Sequence, residues 1–190
     1  MKKIILMAAA LIVAAATVSA QPRAIGARVG YGESVSYQHT LGSNMVTLDG
    51  DVLGLGLNGE FGLSAVATYD WLNPFGTSIN WSPRGEWNWY LGVGAEVGDW
   101  WKTNWTVDGV AKGSESHFHV GVAGRAGLEY TFWFPLQLAV EWRPTFGPEF
   151  WSRRDKTASS DVELQNGVKF HDHGLYSGAI AVCVRYRFGM

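Results

Sequence analysis

The fold is decided by the stretch AIAVCVRYRF, from Ala179 to Phe188, close to the end of the chain. Its larger apolar residues occupy every second position, namely Ile180, Val182, Val184, Tyr186 and Phe188. A period of two is that of a β-strand with one apolar face. The other face is small or charged, and the same pattern returns in stretch after stretch. This pattern favours an inside-out barrel, in which the apolar face meets lipid and the interior is polar.

The N-terminus has the features of a secretory signal peptide. Lys2 and Lys3 precede an apolar stretch, Ile4–Val18, and small residues follow up to Ala20. The apolar stretch is short for a membrane-spanning helix, so we predict cleavage after Ala20. The predicted organisation is therefore a signal peptide at residues 1–20 and one barrel domain at residues 21–190.

Composition excludes several classes of protein. Cleavage would remove two lysines and take the formal net charge from −2 to −4, and no basic run exceeds Arg153 and Arg154. Nucleic acid is therefore not an expected partner. The single cysteine, Cys183, cannot form an internal disulfide. Ten Trp, nine Phe, seven Tyr and 24 Gly fit membrane strands with aromatic belts and a tightly packed interior.

Seven further stretches alternate like the last one, which predicts eight strands in all. They cover about residues 24–31, 35–41, 45–57, 60–71, 86–98, 117–132 and 136–144. A change of parity near Gly54 predicts a bulge. The first two stretches keep the same parity, so they form either one kinked strand or a hairpin. We predict the hairpin, with its loop at Gly32–Ser34, because bacterial single-chain barrels have even strand numbers.

The connections between the predicted strands differ in length in the way that outer-membrane barrels require. The two long ones, Asp99–Ser116 and Thr145–Leu175, fall on one end of the barrel and are predicted to be outer loops. The connection from Trp133 to Pro135 is short and falls on the other end. The predicted fold class is all-β, an eight-stranded antiparallel, up-and-down transmembrane β-barrel.

Aromatic residues on the apolar face are predicted to lie at the membrane interfaces. They are Trp71, Trp87, Trp89, Tyr130, Phe132, Trp142, Tyr186 and Phe188. A soluble barrel such as a lipocalin would point such residues inward. Its strands would then need a polar exterior, whereas here that exterior would be a large apolar patch of valine, leucine and tryptophan.

The inward face carries charges of both signs. The predicted interior charge network is Arg28, Asp49, Asp51, Asp70, Glu96, Arg125, Glu129, Glu141, Arg143, Arg185 and Arg187. These residues form either an ion or proton path or a paired network that closes the lumen. We favour the closed lumen, because eight strands leave just enough room for side chains and unpaired buried charges are costly.

One register follows from the short connection. A three-residue turn between Phe132 and Leu136 places Arg125 opposite Arg143 on the neighbouring strand. Two arginines facing each other in a barrel repel unless acids lie between them. We therefore expect them to share carboxylate partners, with Glu141 the diagonal neighbour of Arg125 and with Glu129 and Glu96 as further candidates.

Several short matches are spread over most of the chain. They are Ala24-Ile25-Gly26-Ala27-Arg28, Val35-Ser36-Tyr37-Gln38-His39, Asn88-Trp89-Tyr90, Gly127-Leu128-Glu129-Tyr130, Pro135-Leu136-Gln137-Leu138, Glu141-Trp142-Arg143-Pro144 and Arg185-Tyr186-Arg187-Phe188. With them the chain resembles the small outer-membrane β-barrel proteins of Gram-negative bacteria, of the OmpA-like transmembrane-barrel class. Members commonly end in an aromatic residue, whereas Gly189 and Met190 follow Phe188 here. The resemblance implies a bacterial outer-membrane location, and it implies no catalytic residue.

Two groups of polar residues near the outer end raise other possibilities. Imidazoles at His171 and His173 could ligate one metal ion, with His117 and His119 approaching, but a complete ligand set is not evident in the sequence. Small outer-membrane barrels also include lipid A acyltransferases and deacylases, and here Ser114, Glu115 and Ser116 precede His117. The chain lacks a His-x-Ser-Asn pattern of that kind. We predict no catalytic residue, no metal and no cofactor.

The predicted function is that of an integral outer-membrane β-barrel protein with a plugged polar interior and a structural or surface-interaction role. Its expected partners are outer-membrane lipids and, during biogenesis, the barrel-assembly machinery, and the barrel is expected to be a monomer. The alternatives are a surface lipid-modifying enzyme acting on lipid A acyl chains and a narrow porin-like channel.

Overall fold

The computed structural model describes residues 22–30, 32–53, 60–75, 84–103, 106–107, 110–111, 113–156, 162–173 and 179–189. The predicted signal peptide and the predicted bulge near Gly54 lie outside these residues. The strands are β1 (Arg23–Gly30), β2 (Gly32–Leu41), β3 (Asn44–Leu53), β4 (Glu60–Pro74), β5 (Gly85–Thr103), β6 (Thr106–Val107), β7 (Val110–Ala111), β8 (Gly113–Phe132), β9 (Leu136–Trp142), β10 (Thr145–Lys156), β11 (Val162–His173) and β12 (Ile180–Phe188). In this part of the chain, no helix is long and apolar enough to cross a membrane.

Eight of these strands close into an antiparallel, up-and-down barrel, as predicted. Sequential neighbours pair from β1 to β5, β5 pairs with β8, and β8 pairs with the lower part of the next strand, β9. The barrel closes because β12 pairs with both β9 and β1. The short strands β6 and β7 pair with each other at the tip between β5 and β8.

The first two strands form the predicted hairpin, but its loop is shorter than expected. Gly30 pairs with Gly32, and Val29 pairs with Glu33. The predicted loop at Gly32–Ser34 is therefore wrong, because these residues already belong to the ladder of β2.

The two predicted outer loops are largely strand. The region Asp99–Ser116 is shortened from both sides, because β5 continues to Thr103 and β8 begins at Gly113. The region Thr145–Leu175 contains the β10–β11 hairpin. Both predictions were wrong for the same reason: the strands pair well beyond the stretch that carries the clearest alternation.

The strands β9 and β10 are two parts of one long barrel strand. On β8, Ala126 pairs with Trp142 and Ala123 pairs with Thr145, so the register is the same on both sides of Pro144. The Gly124 N–H still donates to the Pro144 carbonyl, at 2.8 Å. Proline interrupts the strand only by removing a donor. The β10–β11 hairpin therefore extends the wall of the barrel past the closed part.

Burial is inverted relative to a soluble barrel. Val140 is 51 % exposed, whereas the next residue, Glu141, is 1 % exposed. The largest fully buried side chains include Arg28, Arg185 and Glu141. The outward face carries valine, leucine and aromatic residues along all eight strands. The core of this molecule is thus polar and its surface apolar.

Candidate functional site: the charged interior

A buried carboxylate on β9 lies at the centre of the interior. Glu141 accepts a hydrogen bond from Arg28 Nε at 2.8 Å and from Arg125 Nε at 3.0 Å. Arg185 Nη2 lies 3.4 Å from the same carboxylate, and the Tyr90 hydroxyl donates to it at 2.8 Å. Three arginines and one phenol from four other strands therefore converge on Glu141.

A second set of ion pairs lies above Glu141 and is centred on Arg143. Its Nη1 is 2.7 Å from Asp49 Oδ2 and its Nη2 is 2.6 Å from Asp51 Oδ2. Asp51 also accepts hydrogen bonds from the hydroxyls of Ser34 and Ser64, the latter at 2.9 Å. Arg143 thus pairs with two carboxylates, and serine hydroxyls satisfy further lone pairs of one of them, Asp51.

Arg125 joins the two sets. Its Nη1 lies 3.7 Å from Asp49 and 3.7 Å from Asp70. Asp70 in turn accepts hydrogen bonds from Thr47 at 2.8 Å and Thr68 at 3.0 Å. Gly127 pairs with Glu141, and the same register places Arg125 opposite Arg143, so the predicted register is confirmed. Arg125 and Arg143 do share a carboxylate, but it is Asp49, while Glu141 pairs with Arg125.

The joined network has no net formal charge. It contains four arginines and four carboxylates: Arg28, Arg125, Arg143, Arg185, Asp49, Asp51, Asp70 and Glu141. Opposite charges in close pairs, supported by hydroxyl donors, are the arrangement in which buried ions can be tolerated. Every strand of the closed barrel contributes at least one side chain to it, because the hydroxyls of β2 and the Tyr90 hydroxyl of β5 also take part.

Three of the residues predicted for the network lie apart from these pairs. Glu129 is buried near the opposite end, where Gln137 donates to it. Arg187 is half-buried on β12, two strands away from Glu129. Glu96 lies on the other side of Arg143 and approaches two histidines. The interior is therefore layered along the barrel axis, with the neutral network in the middle.

Sequence reasoning did not identify Tyr90 or the hydroxyl residues as partners in this network. Tyr90 fits because the residue opposite is Gly127, where a Cβ would overlap the tyrosine ring. The Arg125 guanidinium also lies 5.4 Å from the centroid of that ring, within cation–π range. The sequence did contain a signal for Tyr90. Strand alternation places both Tyr90 and Gly127 on the inner face, where a glycine leaves room for a large polar residue.

The predicted interface aromatics lie on the outer face or at its ends. Near the turn between β8 and β9, Tyr130 lies 4.9 Å from Trp87 and 4.6 Å from Phe132, measured between ring centroids. Trp71, Trp89 and Tyr186 are exposed at the same end, and Phe188 is half-buried there. Trp142 is exposed as well, but β10 continues the strand beyond it. At the far end, Phe118 faces Phe150, with 6.4 Å between the centroids.

The serines near His117 are not arranged as nucleophiles beside a base. Ser114 and Ser116 are exposed on one face of β8, while His117 is buried on the other face. His117 Nδ1 instead contacts Glu149, and Trp100 stacks on the imidazole at 3.7 Å. A general base must lie within hydrogen-bond reach of its nucleophile, and neighbours on a strand point to opposite sides.

Comparisons with known proteins yield a structural similarity but no family. No protein-family model matches the chain, and no curated protein matches it. Among solved structures it is similar to a major outer membrane protein from Thermus thermophilus, at 12 % identity and a TM-score of 0.49. That similarity covers 89 % of this chain and 100 % of the other.

Proposed function

We propose that this chain is an integral outer-membrane β-barrel protein with a closed polar interior and a structural or surface-interaction role. The observation that carries the proposal is the inverted burial, seen most sharply at Val140 and Glu141. An apolar belt around a closed barrel is costly in water and favourable in a lipid bilayer. A closed barrel also pairs all of its strands, which a membrane requires.

The spacing of outward aromatics on β8 supports a membrane-spanning band. Tyr130 and Phe118 lie twelve residues apart on this strand. At about 3.3 Å per residue and a tilt of about 40°, that separation is roughly 30 Å along the barrel axis. The apolar band of an outer-membrane barrel is about 25 Å tall and is flanked by aromatic girdles. We assign Phe118 and Phe150 to the outer girdle and place Trp142 within the band.

The interior network favours a closed lumen over a channel. Its eight charged side chains balance in sign and are all buried. An eight-stranded barrel leaves just enough room for side chains. A water-filled path would hydrate these ions without such close pairing.

The same proposal includes the route to the membrane. A signal peptide at residues 1–20 would direct export, and the barrel-assembly machinery would insert the chain as a monomer among outer-membrane lipids. We place the protein in the OmpA-like class of Gram-negative barrels. What supports this placement is the eight-stranded up-and-down topology and the short connection between β8 and β9.

The alternative of a lipid-modifying surface enzyme has no support in the arrangement of Ser116 and His117. We expect His117→Ala and Ser116→Ala to leave the acyl-chain number of outer-membrane lipid unchanged, as measured by mass spectrometry. An acyl-chain change that needs the protein and disappears in either variant would contradict this expectation.

Cell fractionation combined with gel mobility tests the main proposal. The protein should sediment with outer membranes, resist carbonate extraction and change its mobility in SDS gels after boiling. Intact mass of the purified protein should match residues 21–190. Recovery in the soluble periplasmic fraction would overturn the membrane assignment, and an unprocessed mass would overturn the signal-peptide assignment alone.

A further inference from the structure

A compact group of metal-ligating side chains lies at the outer end of the lumen, beyond the charge network. It consists of Glu96 on β5, His119 on β8 and His171 on β11. One ligand atom from each residue can be chosen so that all three lie within 4.8 Å of one another. We propose that these residues bind a divalent transition-metal ion of the zinc class.

The distances within this group suit a small ion. His119 Nε2 lies 3.5 Å from Glu96 Oε1, and His171 Nε2 lies 3.9 Å from Glu96 Oε2. Zinc binds imidazole nitrogen and carboxylate oxygen at about 2.0–2.2 Å, so tetrahedral ligands are roughly 3.4 Å apart. Only small side-chain adjustments are needed to bring the three atoms around one ion.

Glycines lie beside all three side chains of the group. Each residue of the group has a glycine as its partner on the adjacent strand. The pairs are Glu96 with Gly121, His119 with Gly98, and His171 with Gly147. A Cβ at Gly98 would overlap the His119 ring, and one at Gly147 would collide with the backbone of β8. Gly98 therefore leaves the space that the His119 ring occupies.

The group is buried and its carboxylate is oriented. The relative side-chain exposures of Glu96, His119 and His171 are 10 %, 6 % and 3 %. The Thr145 hydroxyl donates to Glu96, which is the kind of outer-shell hydrogen bond that fixes a ligand. Within the described residues, Glu96 Oε2 makes no hydrogen bond although it is buried. An ion would give this atom a partner.

The donor set selects the class of ion. Two imidazoles and one carboxylate are a common protein ligand set for zinc and leave a position for water. Mg²⁺ and Ca²⁺ prefer sets of oxygen ligands and are not expected here. The nearby positive charge of Lys169 is directed to Glu149, at 3.2 Å, and so is already paired.

Calorimetry with Zn²⁺ on untagged, detergent-folded full-length barrel tests the proposal. We expect saturable binding of one ion per barrel and no competition from excess Mg²⁺. Glu96→Gln, His119→Ala and His171→Ala should each weaken Zn²⁺ binding at least about tenfold. The control His39→Ala replaces a histidine at the opposite end of the barrel and should bind like the unmodified protein.

A second measurement on the unmodified protein keeps the test independent of how well the variants fold. Zinc-edge X-ray absorption should show two imidazole ligands and further oxygen at about 2.0–2.2 Å. Absence of saturable binding, equal competition by Mg²⁺, loss of binding in the His39 control, or a first shell without two imidazoles would overturn the proposal.

Discussion

At the scale of single residues, the interior depends on one carboxylate more than on any other group. Glu141 interacts with Arg28, Arg125 and Arg185, and it is almost fully buried. Removing one partner from a buried ion pair leaves an uncompensated charge, which costs more than the pair itself contributes. Here one substitution would leave three guanidinium groups without their common anion.

Glu141→Gln should therefore destabilise the barrel by about 3–5 kcal/mol, the cost of breaking a buried pair. Urea unfolding in lipid vesicles, followed by tryptophan fluorescence, measures the free energy of unfolding. The matched control is Glu86→Gln, because Glu86 is exposed at the rim of β5. Equal unfolding midpoints for the two variants would mean that the interior is wet and hydrates the arginines.

A glycine substitution tests the packing of Tyr90 against Glu141. We expect Gly127→Ala to destabilise the barrel by about 1–3 kcal/mol, the usual cost of overpacking, because the new methyl group overlaps the Tyr90 ring. Gly50→Ala is the control, since Gly50 is exposed on its strand and an added methyl group there would have no atom within 4 Å. The measurement is the temperature at which each variant loses the gel mobility of the folded barrel. Similar melting of both variants would show that Tyr90 is not held in place.

The sequence predicts the direction of these side chains but not their partners. Alternation places Asp49 and Arg143 on the inner face, and both are buried there. Their ion pair joins residues 94 positions apart, and it depends on the stagger between distant strands. That stagger accumulates around the whole barrel, so no local pattern in the sequence specifies it.

At the scale of elements, the β10–β11 hairpin is the largest departure from expectation. Phe146, Phe150, Val168 and Phe170 are all exposed on one face of it, as strand alternation requires. Pro148 and the adjacent charges of Arg153 and Arg154 obscure this alternation in the sequence. The closed barrel was predictable because its strands alternate cleanly, whereas the hairpin continues them with a weaker pattern.

The hairpin should be separable from the closed barrel. Replacing residues 150–168 with Asn-Gly keeps the pairing of Glu149 with Lys169 and adds a two-residue turn that favours hairpins. The ladders that close the barrel involve β1, β9 and β12 and are untouched. We expect the shortened protein to keep its mobility change on boiling.

A deletion of similar length inside the closed part provides the comparison. Removing residues 24–42 takes away the first hairpin and leaves two unpaired edges. That variant should lose the mobility change. If the variant with the shortened β10–β11 hairpin also loses the mobility change on boiling, β10 and β11 are needed for folding and the barrel is not closed without them.

At the scale of the whole molecule, the protein reverses the usual relation between core and surface. Its apolar residues form the outer belt, while a neutral set of four arginines and four carboxylates fills the middle of the barrel. Three histidines and a carboxylate lie beyond this set, at the outer end of the lumen. They are His117, His119, His171 and Glu96. This arrangement supports our proposal that the lumen is closed in its middle, with the zinc group beyond the closure.

Planar-bilayer recording of the purified barrel should accordingly show no steady conductance. An ion crossing the barrel would have to displace Arg125 from Glu141 and Arg143 from Asp49, pairs whose closest atoms are in direct contact. Separating such buried pairs without replacement partners is unfavourable. Asp49→Ala combined with Arg143→Ala keeps the charge balance and removes volume, so this variant should admit water and conduct more than the unmodified protein. Large stable openings in the unmodified protein would identify it as a channel instead, because they require a continuous aqueous path through the network.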